Sequence, residues 1–294
     1  MKRLVSVTLI IGIIACLALV GLVACKDTRT GYENGDKYTA GAGEYAATGV
    51  KKINVAWTAG TANVTFDSEA TKITVYEENS SSETQYLLHR WLDGKGTLWI
   101  KPVASTVPDD SIPSFATKTL YLTLPKITLD EVYVENHGAE IKIIGANTTK
   151  LITYNTGYGT TITETTAGEI DLKTSGITGE ISMNGSVTGK AKISAAMGAY
   201  LYTSTMPTEI TMSGKGRVSC YIPETCPGFN VTVSQATTFT YDFTLPEPTT
   251  AEESKTYTYG NGSVPIKLTC ATRTWLFSDK TENLTYLKYY SSLA

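Results

Sequence analysis

Few side chains in this chain of 294 residues could carry acid–base or nucleophilic chemistry, and their spacing limits what they can do. Acids occur as adjacent pairs at Glu77 and Glu78, Asp109 and Asp110, Asp130 and Glu131, and Glu252 and Glu253. A glycosidase needs two carboxyl groups set across one sugar, whereas neighbours on an extended chain point to opposite faces. These pairs therefore read as solvated loop and edge charge. They are too sparse for a ring of calcium ligands, and no EF-hand pattern is present. The two histidines are isolated from any triad context. His89 lies in Leu88-His89-Arg90-Trp91, and His137 follows Glu135 by two residues in the turn-like Asn136-His137-Gly138. With two histidines and no Cys–His spacing, a metal centre is not expected. The sequence thus points to no catalytic residue, no metal ligand and no cofactor.

Aromatic residues offer a better lead, because a tyrosine ring has a flat apolar face and a hydroxyl that suit a sugar or a protein partner. With Leu201 inward, Tyr200 and Tyr202 face out of a strand, and Tyr221 falls one repeat further on the same column. These three are the candidate ligand contacts, although tyrosine is also a favoured residue on exposed strands. Asn63, Asn147 and Asn230 each begin an Asn-x-Ser/Thr triplet, read here as polar turn and strand residues.

The N-terminus sets the location. Lys2 and Arg3 precede an apolar run over residues 4–24 that ends in Leu22-Val23-Ala24-Cys25, the form of a secretory signal with a small-residue exit. The cysteine at the cut resembles a bacterial lipobox, which implies cleavage after residue 24 and lipidation at Cys25. An uncleaved membrane anchor is the alternative, since the run approaches the length needed to span a bilayer. The expected divisions are a lipoprotein signal peptide over 1–24, a flexible linker over 25–49, a folded domain over 50–278 and a C-terminal tail over 279–294. Of five cysteines, Cys16 leaves with the signal and Cys25 takes lipid. The remaining three allow one bridge at most, and two pairings stay open: Cys220 with Cys226, or Cys220 with Cys270.

Composition bounds the folded part. Hydrophobic residues at 41% supply a core, and a net charge of -3 excludes a nucleic-acid binder or a strongly charged partner. Thr, Gly, Tyr, Val and Ile dominate after the signal, favouring strands joined by tight turns. A repeat then emerges. Its strands can be written Val132-Tyr133-Val134, Ile152-Thr153-Tyr154, Ile170-Asp171-Leu172, Ala191-Lys192-Ile193 and Ile210-Thr211-Met212, whose third residues are spaced by 20, 18, 21 and 19. Each is followed by a small-residue turn and a second strand carrying Ile141 and Ile143, Ile162, Ile181 and Met183, Leu201, or Val218 and Cys220.

This pattern predicts an all-β, right-handed parallel β-solenoid-like stack with rungs of about 20 residues, stacked at about 4.8 Å. Tyr133, Thr153, Asp171, Lys192 and Thr211 are expected to form one outward column, placing Asp171 beside Lys192. The open ends need covers, for which residues 85–96 and the stretch from Phe229 onward are available. An antiparallel β-sandwich is the alternative, but it predicts no constant period near 20 residues.

Several segments resemble the toastrack domains, a bacterial family of candidate adhesins without an assigned function. They are Lys51 to Phe66 (KKINVAWTAGTANVTF), Gly96 to Lys101 (GTLWIK), Leu120 to Pro125 (LYLTLP), Gly168 to Gly176 (GEIDLKTSG) and Tyr259 to Leu268 (YGNGSVPIKL). The polar rung Thr160, Thr161, Thr163, Thr165 and Thr166 and the irregular 224–256 segment depart from the family pattern. The resemblance implies a β-solenoid-like domain at the cell envelope, acting in adhesion or envelope-stress sensing, and attaches no catalytic residues. The expected function is a non-enzymatic, membrane-tethered binding module for a surface glycan, peptide or protein. A polysaccharide-processing enzyme on a β-helix scaffold is the alternative.

Overall fold

The computed structural model describes residues 31–58, 60–78, 82–107, 118–236, 238–251 and 254–279. The signal peptide, Cys25, Asp109 with Asp110, Glu252 with Glu253, and the tail beyond Asp279 lie outside the described residues. Among the described residues, regular structure is strand apart from two 3-10 turns, Gly35–Lys37 and Thr84–Tyr86.

In chain order the strands are β1 (Thr39–Ala40), β2 (Gly43–Tyr45), β3 (Lys52–Trp57), β4 (Ala62–Asp67), β5 (Ile73–Glu78), β6 (His89–Leu92), β7 (Thr97–Lys101), β8 (Thr119–Pro125), β9 (Thr128–Asn136), β10 (Ile141–Ile144), β11 (Asn147–Asn155) and β12 (Gly159–Thr174). They continue as β13 (Glu180–Val187), β14 (Lys190–Ser194), β15 (Gly198–Thr203), β16 (Glu209–Gly214), β17 (Arg217–Ile222), β18 (Gly228–Ser234), β19 (Thr238–Tyr241), β20 (Thr249–Ala251), β21 (Ser254–Gly260), β22 (Val264–Cys270) and β23 (Arg273–Ser278).

Strict alternation of apolar and polar residues makes each rung two-faced, and the apolar side chains of successive rungs stack into one core. The first face of the coil runs β7, β3, β9, β11, the second half of β12, β14, β16, β22 and β18, every neighbouring pair parallel. The second face runs β8, β4, β10, the first half of β12, β13, β15, β17, β23 and β19, again all parallel. A short third ladder joins Thr128, Asn147, Thr166 and Ser186. The parallel solenoid-like stack expected from the repeat is therefore the architecture, and the sandwich alternative is not.

Both ends depart from simple coiling in the same way. The chain enters at β3 and β4, steps out to form the terminal rung of β7 and β8, then returns past the first pair to β9 and β10. At the far end it leaves β16 and β17 for the terminal rung of β18 and β19 and comes back to insert β22 and β23 between them. Antiparallel strands cover the open edges: β6 on β7 and β5 on β8 at one end, β21 on β18 at the other. Covering of this kind blocks edge-to-edge association. The expected linker is in part folded, because β1 pairs with β6 and β2 with β5.

One register differs from the sequence reading. Leu151 lies beside Val132, Ile152 beside Tyr133 and Thr153 beside Val134, so Thr153 points inward and Ile152 takes its place on the outward column. Threonine has the shape of valine, which is why the core admits it between Val134 and Leu172. Thr153 is 1% exposed and its hydroxyl has no partner. Thr153→Val should therefore raise stability by about 1 kcal/mol, measured as a higher urea midpoint. A lower midpoint would mean the hydroxyl is hydrogen-bonded in solution.

Turns between the faces are tight. A side chain at Gly176 would collide with the carbonyl oxygen of Gly157 on the rung below. At Gly145 the backbone is left-handed (φ +71°) and lies against the Phe66 carbonyl, a conformation that costs other residues about 1 kcal/mol or more.

Candidate functional site

Charged residues on the first face form a ladder. Lys52, Glu131, Lys150 and Glu169 succeed one another on adjacent rungs, and Lys190 sits beside Glu209. Lys52 Nζ lies 3.8 Å from Glu131 Oε1, and Lys190 Nζ 3.6 Å from Glu209 Oε2. In the next column Lys192 Nζ is 3.2 Å from Asp171 Oδ2, the contact expected from the repeat. These pairs are exposed, so each contributes under about 1 kcal/mol. Their effect is on register, because a displaced rung would set like charges side by side. Alternation also cancels the field, leaving this face unsuited to steering a charged ligand.

His137 belongs to a polar cluster at the edge of that face. Its Nε2 is 2.8 Å from Glu135 Oε1 and its Nδ1 is 3.0 Å from Thr156 Oγ1. Tyr133 donates to Glu135 Oε2 at 3.0 Å, and the Tyr154 ring meets the imidazole edge-on at 6.0 Å. Burial and the Glu135 charge push the Tyr133 hydroxyl up to about 12. Hydroxyl, imidazole and carboxylate are connected as in a nucleophilic triad. Acyl transfer also needs free donors aimed at a developing oxyanion. Here Thr156 N donates to the Asn136 carbonyl, Gly157 N to Asn155 Oδ1 and Tyr158 N to the Ala139 carbonyl. The amides next to the hydroxyl are thus committed within the fold, and the cluster ties successive turns together.

His89 is buried, with Nδ1 2.9 Å from the Leu87 carbonyl, and burial pulls its imidazole below the ordinary value. The Glu77–Glu78 pair splits across its strand. Glu77 turns inward to a buried contact with Lys118, while Glu78 accepts a hydrogen bond from Tyr121 at 3.1 Å. Among the described residues, no three His, Cys, Asp or Glu side chains converge as a metal site.

The second face changes character along the stack. One outward column reads Asn63, Lys142, Thr161 and Ser182, then Tyr200, Ser219 and Trp275. The neighbouring column ends Tyr202, Tyr221, Phe277. A polar face thus becomes an aromatic strip over β15, β17 and β23. Arg217 lies over the Trp275 ring at 4.5 Å, and Tyr221 and Phe277 have ring centres 5.6 Å apart. Tyr200 and Tyr202 are half-buried at the rim of the strip. Tyr221 lies on the outward Tyr202 column, between Tyr202 and Phe277, but it is only 3% exposed, and Ser219 beside it on β17 is buried too, so the middle rung of the strip is covered and Tyr221 is not an open contact residue. Trp275 and Phe277 were not legible from the repeat, since β23 reaches β17 across a fifty-residue excursion through the terminal rung.

Neither cysteine pairing left open by the sequence is formed. Cys220, Cys226 and Cys270 are free and buried. Cys220 points into the core between Leu201 and Leu276, whereas Cys270 sits beside Gly214 with its thiol toward the Gly216 carbonyl. Burial pushes the Cys220 thiol up to about 12, which makes it unreactive at neutral pH.

A curled, mostly parallel sheet with an apolar core and short antiparallel covers defines a β-solenoid-like domain. The chain belongs to the Toastrack DUF4097 family, whose sequence profile matches residues 50–216. No curated protein matches it. Among solved structures it is similar to a candidate adhesin from Parabacteroides distasonis (12% identity, TM-score 0.41, covering 81% of this chain and 97% of that one). It is also similar to a candidate adhesin from Bacteroides fragilis (12%, 0.35, covering 81% and 95%). A candidate cell adhesion protein from Clostridium sporogenes is a third (13%, 0.28, covering 83% and 100%).

Proposed function

We propose that this chain is a non-enzymatic binding module displayed at the cell envelope, tethered through lipid at Cys25, and that its aromatic strip takes a surface glycan. The observation that carries this reading is the change of the second face from polar columns to Tyr200, Tyr202, Trp275 and Phe277, with Arg217 stacked on Trp275. Flat rings beside hydroxyls and a guanidinium offer stacking and hydrogen bonding to a sugar. The edge cluster around His137 has its neighbouring amides already bonded, which favours binding over acyl chemistry.

Replacing Tyr200 and Tyr202 together with Ala should weaken retention on cell-wall glycan by about tenfold, since each stacked ring contributes roughly 0.5–1.5 kcal/mol. The unfolding midpoint should fall little, because both rings lie outside the core. Undiminished retention in a glycan pull-down would remove the strip from the binding surface.

A further inference from the structure

We infer that the N-terminal end of the stack faces the membrane and that the aromatic strip is held away from it. This rests on the lipid tether at Cys25 and adds an orientation to it. The argument is one of reach. The folded part is pinned from Tyr32 onward: the Tyr32 hydroxyl donates to the Val103 carbonyl at 2.9 Å, and its ring packs on Tyr38 at 4.7 Å with Lys101 Nζ at 5.6 Å. Tyr38 in turn packs on Trp91 at 5.6 Å, which Lys37 covers at 5.4 Å. Val103, Lys101 and Trp91 belong to the terminal rung or its antiparallel cover, so the chain is fastened to one end of the stack from the first described residues.

Between Cys25 and Tyr32 the chain spans at most about 25 Å even fully extended. Each step from β7 through β3, β9, β11, β12, β14, β16 and β22 to β18 advances about 4.8 Å, so the two ends of the stack stand roughly 40 Å apart. A long flexible linker would let any face meet the bilayer, and this one does not. Lying on the first face is opposed by the Lys–Glu ladder, whose charges would lose water against a membrane. At the N-terminal margin of that face Trp91 lies on the outward column with Trp99, Asn54 and Tyr133, with Tyr38 and Lys37 packed on it and Tyr32 on Tyr38, and amphipathic rings with nearby cations suit the headgroup region. The strip on β15, β17 and β23 then lies in the distal half of the stack.

Buried native thiols leave introduced surface cysteines free for selective dye attachment. Lys95→Cys places a dye in the turn between β6 and β7 at the N-terminal end, and Lys255→Cys places one on the antiparallel cover of the opposite end; both lysines are exposed. In the lipidated full-length protein, reconstituted in vesicles carrying a headgroup-linked quencher, the dye at position 95 should be quenched several-fold and the dye at 255 hardly at all. Equal quenching at both positions would mean that the stack lies on its side, and quenching at neither would mean that it is held clear of the bilayer. Either result overturns the orientation while leaving the tether intact. Cys25→Ser should release the protein to the supernatant. If that variant still pellets with membranes, the lipid tether itself is wrong and the reach argument falls with it.

Discussion

Replacing Lys118 with Ala is expected to destabilise the domain by about 3–5 kcal/mol, because it leaves a buried carboxylate without its counter-ion. Lys118 and Glu77 are 0% and 4% exposed, with Nζ 2.8 Å from Oε2. The ammonium also donates to the carbonyls of Tyr86 at 2.6 Å and Pro102 at 2.5 Å and stands 5.3 Å from the Trp57 ring centre. Glu77 Oε1 accepts the Leu88 amide at 2.9 Å. One cation thus gathers β5, the Thr84–Tyr86 turn, the exit of β7 and the entry of β8, so its loss would free the cover of the first rung. Burial pulls the ammonium below the ordinary lysine value and pushes Glu77 above the ordinary carboxylate value, each opposed by the contact with the other.

The pair is costly to break and cheap to replace. Lys118→Met combined with Glu77→Leu should recover most of the loss, since an apolar pair of similar volume often matches a buried ion pair. Urea unfolding of Lys118→Met, Glu77→Leu and the double variant gives the coupling directly. If Lys118→Ala alone costs under 1 kcal/mol, water reaches Glu77 and the cover is looser than its contacts imply. Trp57 supplies an internal control, because its indole donates to the backbone carbonyl of Lys118 at 3.2 Å and that bond survives any side-chain change.

None of this cluster was legible in the sequence. Lys118 stands between two threonines, and its partner lies forty-one residues earlier in an acid pair that reads as solvent-facing. The central rungs were legible because their period is local: the strands succeed one another in chain order and the core residues alternate. Thr153 reads as outward from its polarity alone, whereas its volume and branching fit the inward column. The ends were illegible for a topological reason. β3 with β4 and β22 with β23 are inserted between rungs that come later or earlier in the chain, and no periodicity marks an insertion. That is also why Trp275 and Phe277 could not be joined to Tyr200 and Tyr202 beforehand. The Lys–Glu ladder, by contrast, sits one residue before the apolar pair of each rung, a signal that was present and unread.

Asn136→Ala should cost about 3 kcal/mol, the sum of several buried backbone groups losing their partners at about 1 kcal/mol or more each. Asn136 is 0% exposed at the end of β9. Its Nδ2 donates to the carbonyls of Gly60 at 2.9 Å and Glu140 at 2.8 Å, and its Oδ1 accepts the Gly138 amide at 2.9 Å. One side chain therefore closes its own turn and clamps it to the rung beneath. Asn155 repeats the arrangement one rung on, bonding the carbonyls of Ala139 and Gly159 and the amide of Gly157. Thr174 takes the same inward position on the next rung, but its hydroxyl has no partner, so Thr174→Ala should cost far less and serves as the control. Asn136→Asp keeps the acceptor and loses both donated bonds while burying a charge, so it should be at least as damaging as Ala. The turns of Asn136 and Asn155 meet at Ala139, so the double alanine variant should depart from additivity. If Asn136→Ala and Thr174→Ala unfold at the same urea concentration, water satisfies those carbonyls, and the register of the turns is set by the core column and the glycine contacts alone.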